Sequence, residues 1–151
     1  MNEKTKQILT LLAFASLQFT WGFFQNAYGL LVFLGLTATH PGRKLEFYHG
    51  AVVSYWSKSY SMSSGMFIFY GHENSSDGRS VIVHEYGHAL QSLALGPLFL
   101  FIIGIPSVIW AFSPHFIKLR RYGRRTYLDF YPESWANSWG EKWTGDAAPT
   151  R

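Results

Sequence analysis

The chain contains no cysteine among its 151 residues. Disulfide bonds and thiolate metal ligands are therefore excluded, so any bound metal must be held by histidine, aspartate or glutamate. Charged residues are also scarce, at 15% of the chain, against about 25% in a typical soluble domain. This shortage, together with two long apolar runs, favours a membrane protein, and the length suits a single domain over residues 1–151.

The formal net charge is only +4, which is too modest to indicate a nucleic-acid partner. A basic cluster does follow the second apolar run; its members are Lys118, Arg120, Arg121, Arg124 and Arg125. An RNA- or DNA-binding surface would be expected to combine such charges with base-stacking aromatics on a sheet. Directly after an apolar run, a basic cluster more often marks the cytoplasmic side of a membrane, and we expect no nucleic acid partner.

The first apolar run, residues 8–38, contains no charged residue. As one helix it would be about 46 Å long, whereas the hydrocarbon core of a bilayer is about 30 Å thick. The run therefore forms either one tilted helix or a helical hairpin broken near Gly22–Asn26. Gln25 and Asn26, its most polar point, are the expected break. The second run, residues 97–112, predicts a shorter apolar helix kinked at Pro106.

The remaining segments predict an α+β membrane protein. Residues 45–70 are rich in aromatic and branched side chains and predict a small antiparallel sheet of two or three strands. Apolar residues at helical spacing predict a helix over 80–95, and Pro132 suits the first turn of a last helix over 132–143. Residues from Gly145 onward predict a frayed tail.

The helix over 80–95 contains the pattern His84-Glu85-x-x-His88. Positions four apart lie on one face of a helix, so the two imidazoles can reach a single metal ion. Glu85 lies about 100° round the helix from His84, where its carboxylate can accept a proton from a water molecule that the metal activates. The spacing therefore predicts a Zn²⁺ site with Glu85 as the catalytic base.

A catalytic zinc site needs a third protein ligand. Glu133 is the best candidate, because it lies early in the last helix and is followed four residues later by Asn137 on the same face. Asn137 can hydrogen-bond the far nitrogen of a ligating histidine and fix its ring. His115 is an alternative ligand, and an exposed glutamate favoured by the helix dipole is the structural alternative for Glu133.

The combination of His84-Glu85-x-x-His88 with Glu133-x-x-Ala136-Asn137 resembles the gluzincin branch of the zincin metallopeptidases. Gluzincins carry an aspartate where this chain has Asn137. The longer stretch His84–Ser92, which reads HEYGHALQS, also resembles small bacterial membrane proteins with an HEYGHxxQS motif.

The gluzincin resemblance implies zinc ligation by His84, His88 and Glu133, with Glu85 as base and proton shuttle. It also implies that an extended substrate lies beside the strand that precedes the helix, at Phe67, Ile68 and Phe69. The likeness to bacterial membrane proteins implies a location in the bacterial inner membrane.

These features predict a membrane-bound zinc metallopeptidase that cleaves a peptide or membrane-protein substrate. Stabilising the oxyanion needs a donor near the metal, and the sequence does not choose among Tyr127, Tyr131 and His115. One alternative is a non-catalytic membrane subunit with a structural metal site, assembled in a larger complex. Another is an intramembrane protease of the site-2 type, which takes an aspartate ligand from another span. The aspartates Asp77, Asp129 and Asp146 all lie outside the apolar runs, which counts against that alternative.

Membrane topology restricts where the metal site can lie. If each apolar run crossed the bilayer once, His84 and Glu133 would end on opposite sides. If the first run is a hairpin and the second is re-entrant or lies on the surface, both residues share the face that carries the basic cluster. We expect the second arrangement, with the active site at the cytoplasmic face.

Overall fold

A computed structural model describes residues 2–71, 78–123 and 125–150, and within them the chain has the predicted α+β class. Asp77 and Arg124 lie outside the described residues. The helices are α1 (Glu3–Thr20), α2 (Phe23–Thr39), α3 (Gly78–Leu95), α4 (Ile105–Phe112), α5 (Pro114–Tyr122) and α6 (Tyr131–Thr144). The strands are β1 (Leu45–Tyr48), β2 (Ala51–Trp56), β3 (Met62–Ser64) and β4 (Phe67–Gly71). Helices α3 and α6 lie where the sequence predicts helices over 80–95 and 132–143.

The four strands form one sheet in the order β1-β2-β4-β3, and the prediction of a purely antiparallel sheet is wrong. Strands β1 and β2 form an antiparallel hairpin through His49 and Gly50, which both have positive φ. Strands β3 and β4 are also antiparallel, but β2 and β4 run parallel. After β2, residues 57–61 lead to β3, which is not the neighbour of β2. Strand β4 then returns between β2 and β3, where it runs parallel to β2 and antiparallel to β3.

Strand β4 therefore lies inside the sheet, with β2 on one side and β3 on the other. Its residues Phe67, Ile68 and Phe69 are buried. The neighbouring strands occupy both edges of β4, so neither edge is open to the extended substrate expected beside these three residues. The strand at the sheet edge next to α3 is β3.

The first apolar run breaks at Gly22, and α1 and α2 meet at 94°, forming a right-angle corner instead of a hairpin with antiparallel arms. Gln25 and Asn26 do not form the break, because both are buried in the first turn of α2. The Asn26 amide donates to Gln18 Oε1 at 2.8 Å and accepts from the Met66 N–H at 2.9 Å. The polar point of the run thus ties the corner to the turn between β3 and β4.

The second apolar run is not one helix kinked at Pro106. A 3₁₀ turn at Gly96–Leu98 is followed by a π-helical turn at Leu100–Gly104, and α4 begins only after it. The chain bends by 119° between Leu98 and Leu100, whereas Pro106 lies in the first turn of α4, where its missing N–H has no helical partner to lose. The bend lies close to Gly96, whose φ of +52° suits glycine.

None of the helices in the described ranges is, taken singly, long and apolar enough to cross a membrane. Two bent pairs reach that length and composition together: Glu3–Thr20 with Phe23–Thr39, and Gly78–Leu98 with Leu100–Phe112.

Helices α3 and α6 pack with their backbones in contact. A Cβ atom on Gly87 would lie 1.9 Å from the carbonyl oxygen of Ala136, and one on Gly140 would lie 2.3 Å from that of Val83. Only glycine permits this approach at the two crossing points. The close crossing brings the faces of α3 and α6 that carry the predicted ligands together.

We expect Gly87→Ala to destabilise the protein by about 3 kcal/mol, because the added methyl group forces two packed backbones apart. Gly35→Ala is the matched control: Gly35 is also inside a helix, and a Cβ there meets nothing within 4 Å. That change is expected to be neutral or stabilising by up to about 1 kcal/mol. Chemical unfolding of both variants measures the difference, and equal midpoints would contradict the helix contact.

The predicted frayed tail is wrong. Gly145 ends α6 with a φ of +78°, and residues 145–150, which we call the C-terminal strap, then lie along the protein. Ala148 is only 3% exposed, and its N–H donates to Glu141 Oε1 at 3.0 Å. The hydroxyl of Tyr48 donates to Asp146 Oδ2 at 2.8 Å. Core packing and side-chain hydrogen bonds therefore hold the strap in place.

Candidate metal centre

The crossing of α3 and α6 brings His84, His88 and Glu133 together, as predicted. One candidate ligand atom from each lies within 4.8 Å of the others. The Nε2 atoms of His84 and His88 are 3.2 Å and 3.3 Å from the same oxygen, Glu133 Oε2. All three side chains are buried, and Glu133 is fully so. Two imidazoles and a carboxylate that converge in the interior form a set of donors able to hold a divalent metal ion.

Glu133 is held in its charged form. Burial by itself opposes ionisation, but the hydrogen bonds and charges of His84 and His88 outweigh it and hold the pKa of the Glu133 carboxyl well below its usual range. A ligand must be deprotonated before it can bind a metal, so this carboxylate is ready at neutral pH.

The catalytic candidate Glu85 lies beside this cluster and is also buried. Burial raises the pKa of Glu85, although the charges of His84 and His88 act in the opposite direction. The hydroxyl of Ser63, on the edge strand β3, lies beside this carboxylate and favours its charged form. A base whose pKa is raised toward neutrality is better matched to proton transfer near pH 7.

Asn137 has the position that the sequence predicts for it. Its Oδ1 is 2.6 Å from His84 Nδ1, and its Nδ2 donates to the carbonyl oxygen of Pro149 at 2.9 Å. Since the NH₂ end is engaged by a carbonyl, the end facing the ring is an acceptor, and Nδ1 must carry a proton. Nε2, which faces Glu133 Oε2 at 3.2 Å, is then the ring nitrogen left to bind a metal.

Gln91 does the same for His88, and sequence reasoning missed it. Its Oε1 is 2.7 Å from His88 Nδ1, and its Nε2 donates to the carbonyl oxygen of Pro132 at 2.9 Å. The available signal was the spacing, because a residue three positions after a histidine lies over the same helical face. Both rings are therefore oriented by amides whose own direction is fixed by a backbone carbonyl.

Ser107 is a second residue that sequence reasoning missed. Its hydroxyl donates to Glu133 Oε1, while the other carboxylate oxygen faces the two histidines. It reaches the centre from α4, the helical part of the second apolar run. A lone hydroxyl within an apolar helix was the signal in the sequence.

The three candidate oxyanion donors lie in different places. Tyr127 lies beside Ser107 and Glu133, and burial raises the pKa of its hydroxyl, so its phenol stays protonated and able to donate. The hydroxyl of Tyr131 donates instead to the carbonyl of Ile102. His115 is exposed on α5. Of the three candidates, Tyr127 is the one that contacts the centre.

A cavity of about 830 Å³ opens beside the cluster. One wall carries His84, Glu85 and His88. Another is formed by Met62 and Ser63 from the edge strand β3 and by the preceding Ser61. The rest is largely apolar and includes Phe99, Ile103, Val108, Phe112, Tyr127 and Pro149. The cavity is large enough for a few side chains of an extended peptide, and one side of it is suited to apolar groups.

The basic cluster is not a uniform surface. Arg120 donates to the carbonyl oxygens of Trp110 and Ala111 at the end of α4, and its guanidinium lies 4.9 Å from the centre of the Trp110 ring. Lys118, Arg121 and Arg125 are exposed. One member therefore stabilises the fold, and three face outward.

Comparisons of the chain with protein-family models, with curated proteins and with solved structures return no match.

Proposed function

We propose that this protein is a membrane-bound zinc metallopeptidase. The convergence of His84, His88 and Glu133 beside Glu85, in the wall of a cavity, is the observation that carries the proposal. Two histidines and one glutamate are a ligand set of catalytic zinc sites, which keep one coordination position open. The histidines fit this role because hydrogen bonds at Nδ1 leave Nε2 free for the metal.

Each residue has a definite task in this proposal. His84, His88 and Glu133 hold zinc, which when bound supplies Lewis-acid activation of water and of the substrate carbonyl. Glu85 takes the proton from the attacking water and delivers it to the leaving nitrogen. Ser63 orients the Glu85 carboxylate, and the Tyr127 hydroxyl donates to the oxygen on which negative charge develops.

The edge strand β3 is the place where an extended peptide would dock. Within the described residues β3 pairs only with β4, so its other edge has no strand partner. Ser61, Met62 and Ser63 line the cavity next to Glu85. A peptide added to β3 would pass the catalytic carboxylate, which gives β3 the role that the sequence assigned to β4.

Membrane attachment is supported by the apolar side chains that the protein leaves at its surface. They concentrate in α1, α2 and the segment Leu98–Phe112, and include Leu12, Phe24, Leu31, Leu98, Phe101, Val108 and Phe112. Exposed apolar area of this extent is typical of a surface covered by lipid or protein. We propose that these three segments lie in the bacterial inner membrane and that the metal centre lies at the cytoplasmic face, where the exposed basic residues meet anionic lipid.

The absence of cysteine allows a direct test of this attachment. In lipid vesicles, the single-cysteine variant Phe101→Cys should be protected from a water-soluble maleimide, because apolar surroundings suppress the reactive thiolate. Phe47→Cys on β1 is the matched control, since Phe47 is 81% exposed and Phe101 67%, but Phe47 lies outside the three segments. We expect labelling to be about tenfold slower or more at position 101. Equal rates in vesicles would contradict the assignment of this segment to the bilayer.

Hydrolysis itself is tested with purified protein reconstituted in lipid and a mixture of unstructured peptides. We expect cleavage that a chelator abolishes and that stoichiometric Zn²⁺ restores, because the ligands form a site only in the folded protein. A protein that retains one zinc per chain and cleaves no peptide would instead support a structural metal site.

A further inference from the structure

The C-terminal strap, residues 145–150, reaches the metal centre. The carbonyl oxygen of Pro149 accepts a hydrogen bond of 2.9 Å from Asn137, and Pro149 lines the cavity together with His84. The same Asn137 lies 2.6 Å from the His84 ring. One amide thus connects the strap to a candidate metal ligand.

The direction of this amide decides what His84 can do. An amide presents an acceptor at one end and donors at the other, and either end fits beside an imidazole nitrogen. If the NH₂ group faced His84, Nδ1 would have to accept, the ring proton would move to Nε2, and Nε2 could not bind a metal. The carbonyl of Pro149 can only accept, so it selects the orientation in which Oδ1 faces the ring.

We propose that the C-terminal strap is a positioning element of the metal centre, in which the Pro149 carbonyl fixes the Asn137 amide and thereby the proton on His84 Nδ1. This inference rests on the proposed zinc site. Gln91 needs no such element, because its NH₂ group is anchored by Pro132, which precedes the ligand Glu133 in α6. Asn137 depends on a segment that folds back from beyond the end of its own helix.

An aspartate at position 137 would not need the strap. Both oxygens of a carboxylate are acceptors, so either can accept the hydrogen bond from His84 Nδ1. The orientation of the carboxylate therefore does not need to be fixed. A carboxylate would also repel the Pro149 carbonyl, so that Asn137→Asp should release the strap while keeping the ring contact. Asparagine and strap are therefore predicted to act as a pair, and a double-mutant cycle can measure their coupling.

The test compares Zn²⁺ affinity in four proteins: the wild type, a deletion of residues 148–151, Asn137→Asp, and the combination. We expect the deletion to weaken binding about 10–100-fold when residue 137 is asparagine, which is the usual cost of losing an orienting partner. We expect less than about threefold when residue 137 is aspartate, because its two oxygens are equivalent. An equal loss in both backgrounds, or no loss in either, would overturn the proposal. A wild type that binds no zinc would instead refute the metal site.

A spectroscopic readout separates orientation from folding. In Co²⁺-loaded protein the exchangeable Nδ1 protons of ligating histidines give strongly shifted proton resonances. We expect one of the two to exchange faster with water after the deletion, while the other, held by Gln91, is unchanged. If the deletion does not fold, Glu141→Ala loosens the strap by removing the partner of the Ala148 N–H, and Lys142→Ala is its exposed neighbouring control. Identical spectra for Glu141→Ala and wild type would contradict the role of the strap.

Discussion

Replacing Glu85 by glutamine is expected to reduce peptide turnover by about 10³-fold and to leave zinc bound. Glutamine keeps the size of the side chain and its contact with Ser63 but cannot take up a proton, and general base catalysis contributes about 10²–10⁴-fold in enzymes. Metal content should stay at the wild-type value, because Glu85 is not among the three residues whose ligand atoms converge. Turnover and zinc content measured on the same sample decide the matter.

The pH dependence gives this prediction a second arm. Burial raises the pKa of Glu85, and the base works only when deprotonated, so activity should fall as the pH drops through that raised value. The acid limb of the rate profile should therefore lie above about pH 4.3, the ordinary value for glutamate. Lys142→Gln, an exposed change on α6, should retain the wild-type profile. A Glu85→Gln protein with full activity would show that Glu85 is not the general base.

Replacing Glu133 by glutamine is expected to weaken zinc binding by more than about 100-fold. Losing a residue that only orients a ligand costs about 10–100-fold, and Glu133 is a predicted ligand itself. A neutral amide is a poor metal ligand, and the two imidazoles lose the carboxylate oxygen on which both now converge. Zinc raises the unfolding temperature of a protein only when it binds the folded state. Added Zn²⁺ should therefore stabilise the wild type against heat and have little effect on Glu133→Gln.

His88→Ala and His115→Ala complete this experiment. The first removes a second predicted ligand and should lose metal as Glu133→Gln does, whereas His115 is exposed on α5 and its removal should be silent. If His88→Ala lost zinc but Glu133→Gln kept it, the third ligand would have to come from a residue other than Glu133. If His115→Ala lost zinc, the alternative considered from the sequence would apply.

The parts of the site that could be predicted are those set by local helix geometry. The spacing of His84 and His88 is fixed by one helical turn, and the position of Asn137 relative to Glu133 by another. The contact between the histidine pair on α3 and the Glu133–Asn137 pair on α6 was expected only because catalytic zinc requires a third ligand. The backbone contacts of Gly87 and Gly140, which bring it about, leave no signal other than two glycines inside helices.

The errors concern contacts between segments far apart in the sequence. The alternation of apolar residues in a strand is the same for parallel and antiparallel neighbours, so the pairing of β2 with β4 could not be deduced. Gln25 and Asn26 were interpreted as a helix break because they are polar. In the structure both make tertiary contacts: Gln25 donates to the carbonyl oxygen of Gly96, and Asn26 bonds Gln18 and Met66. The strap was predicted to fray because the site that holds it, at Glu141 and Asn137, exists only after folding.

The backbone contact between α3 and α6 has a consequence for which ions the centre can accept. Interfaces made of side chains adjust by changing rotamers, whereas two touching main chains have no such freedom. We therefore expect the distance between the histidine pair and Glu133 in the proposed site to change little when a larger cation is offered. The proposed site should therefore discriminate among cations by ionic radius. This selectivity would depend on Gly87 and Gly140, which carry only a hydrogen atom where the two helices touch.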